Sequence, residues 1–267
     1  VKIHNKAIFV FLGLLMAVTA TGLSALPNRN QEISAAIGQQ KRDEGEMPVA
    51  DFALPEPVDP QEPALRREIG TRFNKPGGKP IAELASGTEE LALNSHWWWG
   101  LPALPTRLSD AIVVGEVINA QAYLSSDKSG VYSEFTIRIN EVLKNESNLT
   151  VFLGNEVLAE RSGGAVRFPS GRLQRYTISQ QGTPIIGRRY VIFLKCNGTG
   201  KDFFLLTGYE LKSGRVFPLD GYGDKKERVV SSFTAFEGMD ETGFLKAVSD
   251  AISNSSQDPF EKDKRKQ

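Results

Sequence analysis

Histidine and cysteine are nearly missing from this 267-residue chain, which has two of the first and one of the second. A lone cysteine, Cys196, cannot close a disulfide within the chain or build a multi-cysteine zinc site. It reads as a small core residue, since free cysteines are among the most buried side chains. His96 is the only histidine outside the N-terminal apolar segment. A Ser-His-Asp or Cys-His centre therefore lacks its usual base. No G-x-S-x-G elbow, H-E-x-x-H pair, P-loop or dinucleotide-binding glycine pattern occurs. No catalytic residue, metal ligand or cofactor is assigned on this basis. Excess charge is also lacking, with 32 Lys and Arg against 32 Asp and Glu. Nucleic-acid binders draw most of their affinity from a basic surface, so no nucleic-acid partner is expected.

What is there changes texture along the chain. Lys2 and Lys6 precede an uncharged, mostly apolar run over Ala7 to Val18, followed by small residues. The run dilutes before the roughly 20 apolar residues that a membrane-spanning helix needs. Residues 1–25 read as a signal peptide, so the protein is expected to be exported, periplasmic or secreted, with no membrane span after cleavage. Residues 26–95 are punctuated by Pro48, Pro55, Pro57, Pro60, Pro63, Pro76 and Pro80 and read as a disordered Pro/Glu-rich spacer. Two patches within it, 33–40 and 80–93, could make a helical turn or two.

The folded domain is expected over 96–253. Its clearest signal is Gly130 to Asn145. Val131, Phe135, Ile137 and Ile139 share one face of a strand, and Tyr132, Glu134, Thr136, Arg138 and Asn140 share the other. Ala111 to Tyr123 is a strand apolar on both faces and interrupted by Gly115, as at a bulge or bend. The turn cluster 125–130 joins the two as a hairpin. Leu149 to Leu153 reads as a third strand. Short strands follow at Val157–Glu160, Ala165–Phe168 and Arg175–Ser179, then longer ones at Tyr190–Cys196 and Phe203–Tyr209, and an edge strand at Arg215–Leu219. Asp240 is placed to cap a helix over 240–253, with Met239 and Phe244 as a staple and Phe244, Leu245, Val248, Ala251 and Ile252 as its apolar stripe. Residues 254–267 read as a disordered tail.

Many short strands with hairpin turns suggest a small β-barrel or sandwich. The runs S-D-A-I-V-V-G-E-V, V-Y-S-E-F-T-I-R-I-N-E-V-L-K-N, L-T-V-F-L-G and G-R-R-Y-V-I-F-L resemble the netrin-like OB-fold module of the tissue inhibitors of metalloproteinases. They resemble more closely the version carried by exported bacterial proteins. The resemblance covers about Ser109 to Leu219. It implies a mainly β fold: a small OB-like barrel with one C-terminal helix packed on it, preceded by the signal peptide and the spacer. Those inhibitors chelate zinc through an N-terminal cysteine and are stapled by disulfides. This chain has neither, so the resemblance implies a fold and no inhibitory residue.

Two groups stand out as candidate sites. Arg161, Arg167, Arg172 and Arg175 interleave with Gly163, Gly164 and Gly171, and arginines on a Gly-rich loop can cradle an anion. Trp97, Trp98 and Trp99 are all the tryptophan in the protein. They would form a partner patch if exposed, or a plug over the barrel mouth if folded inward. Glu116, Glu134 and Glu141 lie on strands and would matter if two faced each other across a cleft. The expectation is a non-enzymatic binding or interaction module for an unknown protein, glycan or anionic ligand. A hydrolase using acidic residues is the alternative, and an oligonucleotide-binding domain is less favoured.

Overall fold

The computed structural model describes residues 47–53, 61–84, 90–93, 101–146, 151–197, 202–222 and 232–255. All belong to one unit, Glu44–Gln267. The expected signal peptide, most of the expected tail, and His96 with Trp97 to Trp99 lie outside the described residues.

The chain is mainly β, with strands β1 (Val49–Asp51), β2 (Glu90–Leu93), β3 (Ala111–Leu124), β4 (Val131–Asn145), β5 (Glu156–Ser162), β6 (Gly164–Arg167), β7 (Leu173–Ile178), β8 (Arg189–Cys196), β9 (Asp202–Lys212) and β10 (Arg215–Pro218). Among the described residues two α-helices join them, α1 (Gln61–Arg72) and α2 (Glu241–Ser255), with a short 3-10 turn at Ser232–Phe236. A six-stranded sheet runs β10-β9-β5-β4-β3-β8, and β8 also pairs with β9. A four-stranded sheet runs β1-β6-β7-β2. The β6–β7 hairpin at its centre is antiparallel, while β1 and β2 join its two edges in parallel.

The period-two pattern of β4 is used as its residues demand. Phe135, Ile137 and Ile139 enter the main core with Val113, Val117, Tyr190, Ile192, Phe203 and Leu205. On the other face Arg138 and Asn140 are exposed, but Tyr132 and Glu134 are buried. Something covers that half of the face.

β3 is apolar on both faces because it lies between two cores. Ala111, Val113 and Val117 face the main core, whereas Ile112 and Val114 face α2 and meet Phe244 and Val248. Its register against β4 shifts at three places, one of them at Val114/Gly115. A Cβ at Gly115 would stand 2.6 Å from Ile137 Cγ2 and 2.9 Å from the Arg138 carbonyl oxygen, so glycine lets the strands cross closely there. Helix α2 starts as expected, with the Gly243 N–H donating to Asp240 Oδ1 at 2.8 Å.

Two expectations are corrected. Residues 151–154 form an irregular turn rather than a strand, with Phe152 and Leu153 exposed, and the strand pairing with β4 is β5 instead. An apolar run so short does not by itself distinguish strand from exposed turn. The second correction is larger. The expected spacer is structured in its described parts: β1, α1, the segment 73–84 and β2 form an arm laid against the body. Strand pairing supplies backbone hydrogen bonds that composition cannot reveal, and Ala50 of β1 with Phe52 just after it joins a small core with Ala122, Val131, Val166, Phe168 and Tyr176.

The exchange between the sheets rests on Gly164, whose φ is +151°. A Cβ there would lie 2.9 Å from both Ala122 Cβ and Val131 Cγ1. Gly164→Ala is therefore expected to cost about 2 kcal/mol or more, through strain and overpacking together. Urea unfolding monitored by fluorescence checks it; an unchanged midpoint would show that the crossing relaxes freely.

Candidate functional site

The covered half of β4 is the place where ionisable groups gather. Glu134 on β4 stands directly opposite Glu160 on β5, and Leu158, two residues before Glu160, pairs with Asp202 on β9. Residues two apart on a strand share a face, so these three carboxyls line one outer surface of three adjacent strands. All three are buried. Left alone they would repel one another in a poorly solvated place.

The arm supplies the cations. Arg66, Ile69 and Arg72 recur at three-residue spacing and fall on one side of α1. Pro63 sits in the first turn, where a missing N–H is tolerated, and the breakers Pro76, Gly77 and Gly78 follow the helix. Arg66 Nη1 donates to Glu134 Oε1, and its Cζ lies 3.8 Å from the centroid of the Tyr123 ring. Arg72 Nη1 donates to Glu160 Oε1 at 2.9 Å and to Asp202 Oδ2 at 2.6 Å, bridging two strands with one guanidinium. Glu160 Oε2 accepts from Asn197 Nδ2 at 3.2 Å. Phe73 stacks on Tyr132 with centroids 4.3 Å apart and planes 3° from parallel, and meets Phe204 edge-on. The Tyr132 hydroxyl is buried, with Arg66 and Glu134 as the charged groups beside it.

The electrostatics follow from this crowding. Burial pushes the Glu160 carboxyl up to about 8, helped by its hydrogen bond with Asp202 and opposed by Arg72. Glu134 is also raised, because burial outweighs the pull of Arg66. Burial raises Tyr132 as well, with the Glu134 charge adding to it. A proton held on Glu160 near neutral pH lowers the negative charge that Arg66 and Arg72 have to meet. Among the described residues no group of His, Cys, Asp and Glu is arranged to hold a metal ion.

The four arginines singled out in the sequence do not form one site. Arg161 is buried on β5 and pairs with the buried Asp220 at 2.6 Å; it also donates to the Gly182 carbonyl at 2.8 Å. Thr207 Oγ1 and the Gly182 N–H donate to the same carboxylate. This network ties three segments of the body together from within. Arg172, in the β6–β7 turn, donates to the Leu84 carbonyl and lies 3.5 Å from Glu83, so it holds the arm. Arg167 and Arg175 are exposed on the outer face of the hairpin, next in register to Asp51 on β1 and Glu90 on β2 respectively. The structure thus sets the four arginines apart, and the glycines among them mark a strand exchange and a tight turn. The Trp97 to Trp99 patch lies outside the described residues.

Of the strand carboxylates, Glu116 stands opposite Arg138 and Arg189, and Glu141 is exposed. Glu134 does face a second carboxyl, but its partner is Glu160. Cys196 is a free, half-buried thiol packed against the main core. The residues missed were Arg66, Arg72, Glu160 and Asp202. One signal for them was present, since Leu65, Ile69 and Phe73 recur at helical spacing within the proline-rich stretch. No protein-family model matches this sequence, and a comparison with curated proteins finds no match either.

Two measurements test this description. Because the folded Glu160 holds a proton that the unfolded chain releases above the ordinary carboxyl range, its contribution to stability is complete at low pH. That contribution is lost as pH rises from about 4.5 through about 8. The melting temperature should fall by roughly 5 °C or more across this window, and the fall should shrink in Glu160→Gln. A fall of the same size in the variant would show that the proton sits elsewhere. Second, Arg72→Ala leaves two buried carboxyls without their cation and is expected to cost about 3–5 kcal/mol. Arg167→Ala and Arg175→Ala should stay within about 0.5 kcal/mol in the same urea titration.

Proposed function

We propose that this protein is an exported, non-enzymatic binding module, built on an OB-like barrel of the netrin type and acting on a protein, glycan or anionic ligand. Support for the barrel comes from the pairing pattern: β3, β4, β5, β9 and β8 each have two neighbours among themselves, a ring rather than an open sheet. Support for export comes from the basic and apolar order of residues 1–25. The observation that carries the binding reading is the surface over β4, β5 and β9. In OB folds one sheet face and its loops hold the ligand. Here that face presents carboxyls, Tyr123, Tyr132 and Phe204, and the arm inserts guanidiniums and a phenyl ring into it.

One observation favours the alternative of an acid-based hydrolase. Glu160 keeps its proton to about pH 8 beside a second carboxyl, as a general acid would. Against this, each carboxyl is held by an arginine and the cluster is covered. The full chain is expected to give no turnover on a panel of chromogenic glycosides, esters and peptides between about pH 5 and pH 9. It should retain ligands on a combined glycan, peptide and anion array. Turnover that disappears in Glu160→Gln would replace the binding reading with the hydrolase.

A further inference from the structure

The arm behaves toward the body as a bound peptide does. Among the described residues β1 and β2 pair with β6 and β7 and not with each other, so the arm has no sheet of its own. Along α1 the described apolar anchorage is Ile69, followed by Phe73 just past the helix; the remainder of the grip is ionic. The receiving face, by contrast, is built into the strands. Its three carboxyls are fixed by strand register, and the buried Tyr132 hydroxyl lies beside Arg66 and Glu134.

We propose that this acidic, aromatic face is a docking site for an arginine-bearing polypeptide segment of a partner protein, and that residues 66–73 are its resident occupant. The inference rests on the binding-module reading and names the partner of that same surface. Arginine is favoured over lysine at Tyr123, where one guanidinium has its Cζ 3.8 Å from the ring centroid while it donates to Glu134; a second, through a single nitrogen, meets Glu160 and Asp202 on different strands. A planar guanidinium stacks on a ring face in a way a point-charge ammonium does not. An aromatic residue directly after the second arginine completes the match, as Phe73 does against Tyr132 and Phe204. A partner segment engages the face only where the arm lifts, so the arm sets the threshold for binding.

The test uses the full chain and a fluorescent peptide copying residues 61–75, followed by anisotropy. In the wild type the tethered arm competes at an effective concentration in the millimolar range. Arg66→Ala/Arg72→Ala weakens the arm and should bind the peptide at least about tenfold more tightly than the wild type. A peptide with both arginines changed to lysine should lose roughly fivefold or more. Equal binding by wild type and variant, or no binding by a variant with wild-type circular dichroism, overturns the proposal. If the double variant does not fold, hydrogen exchange on the wild type decides. With about 2 mM peptide the amides of 61–73 should exchange faster while those of β8 and β9 do not change. No change overturns it, and so does a wild-type dimer that the peptide cannot prevent, which would give the face to a second copy's arm. A chain that ignores the peptide yet retains a different ligand on the array loses only this inference. Glu160-dependent turnover removes the binding reading itself.

Discussion

Arg72 bridging Glu160 and Asp202 is the contact on which the arrangement of this protein turns. The two carboxyls belong to different strands, and the strand register that fills the main core also sets them side by side on the outside. They cannot both remain charged and buried without a cation. A chain with this core therefore has to bring a guanidinium to this face, hold a proton there, or leave the face to water. It does the first two together. This is why a proline-rich stretch with little to bury is nevertheless laid down in order. The body's buried charge acts here beside the strand pairing of β1 and β2 and the burial of Ala50 and Ile69.

The body itself is stabilised by a different logic. β3 is covered on both sides, by the main core within and by α2 without, and this accounts for its run of apolar residues on successive positions. Tyr209, Phe236 and Phe244 pack against one another under α2, where ring contacts add to simple area burial. Elsewhere in the body Arg161 and Asp220 are both buried and paired, with Thr207 and the Gly182 N–H donating to the Asp220 carboxylate. Such a pair contributes more to fixing which segments meet than to net stability, because desolvation offsets much of its attraction.

What could be read from the sequence divides along physical lines. β3, β4, β8, β9 and α2 were legible because each buries a regular face, and periodicity reports burial directly. Cys196, expected in the core because free cysteines are so often buried, is half-buried against it. The arm was not legible from composition, since its order comes from partners far along the chain: Val49 pairs with Ala165, and Arg72 with Asp202. Strand Leu149–Leu153 failed because a short apolar run carries no period. The arginine series came apart for a converse reason. The four lie on different elements: Arg161 on β5 joins a buried pair, Arg167 and Arg175 stand on the exposed face of the β6–β7 hairpin, and Arg172 lies in its turn. The carboxylate cluster was half visible, because Glu134 was marked as a strand carboxylate but the residue opposite it depended on a register no single strand discloses.

The parallel seating of β1 and β2 against the two edges of the β6–β7 hairpin has a consequence for the life of the chain. A ribosome makes β1, α1 and β2 before it makes any strand they pair with. Until β4, β5 and β6 are made, the arm has neither a carboxyl to meet nor an edge to join, and β2 must wait further for β7 and Arg72 for Asp202 on β9. Pairing between distant segments is slow to find for entropic reasons. The part of this domain that is synthesised first is thus the part that arrives last.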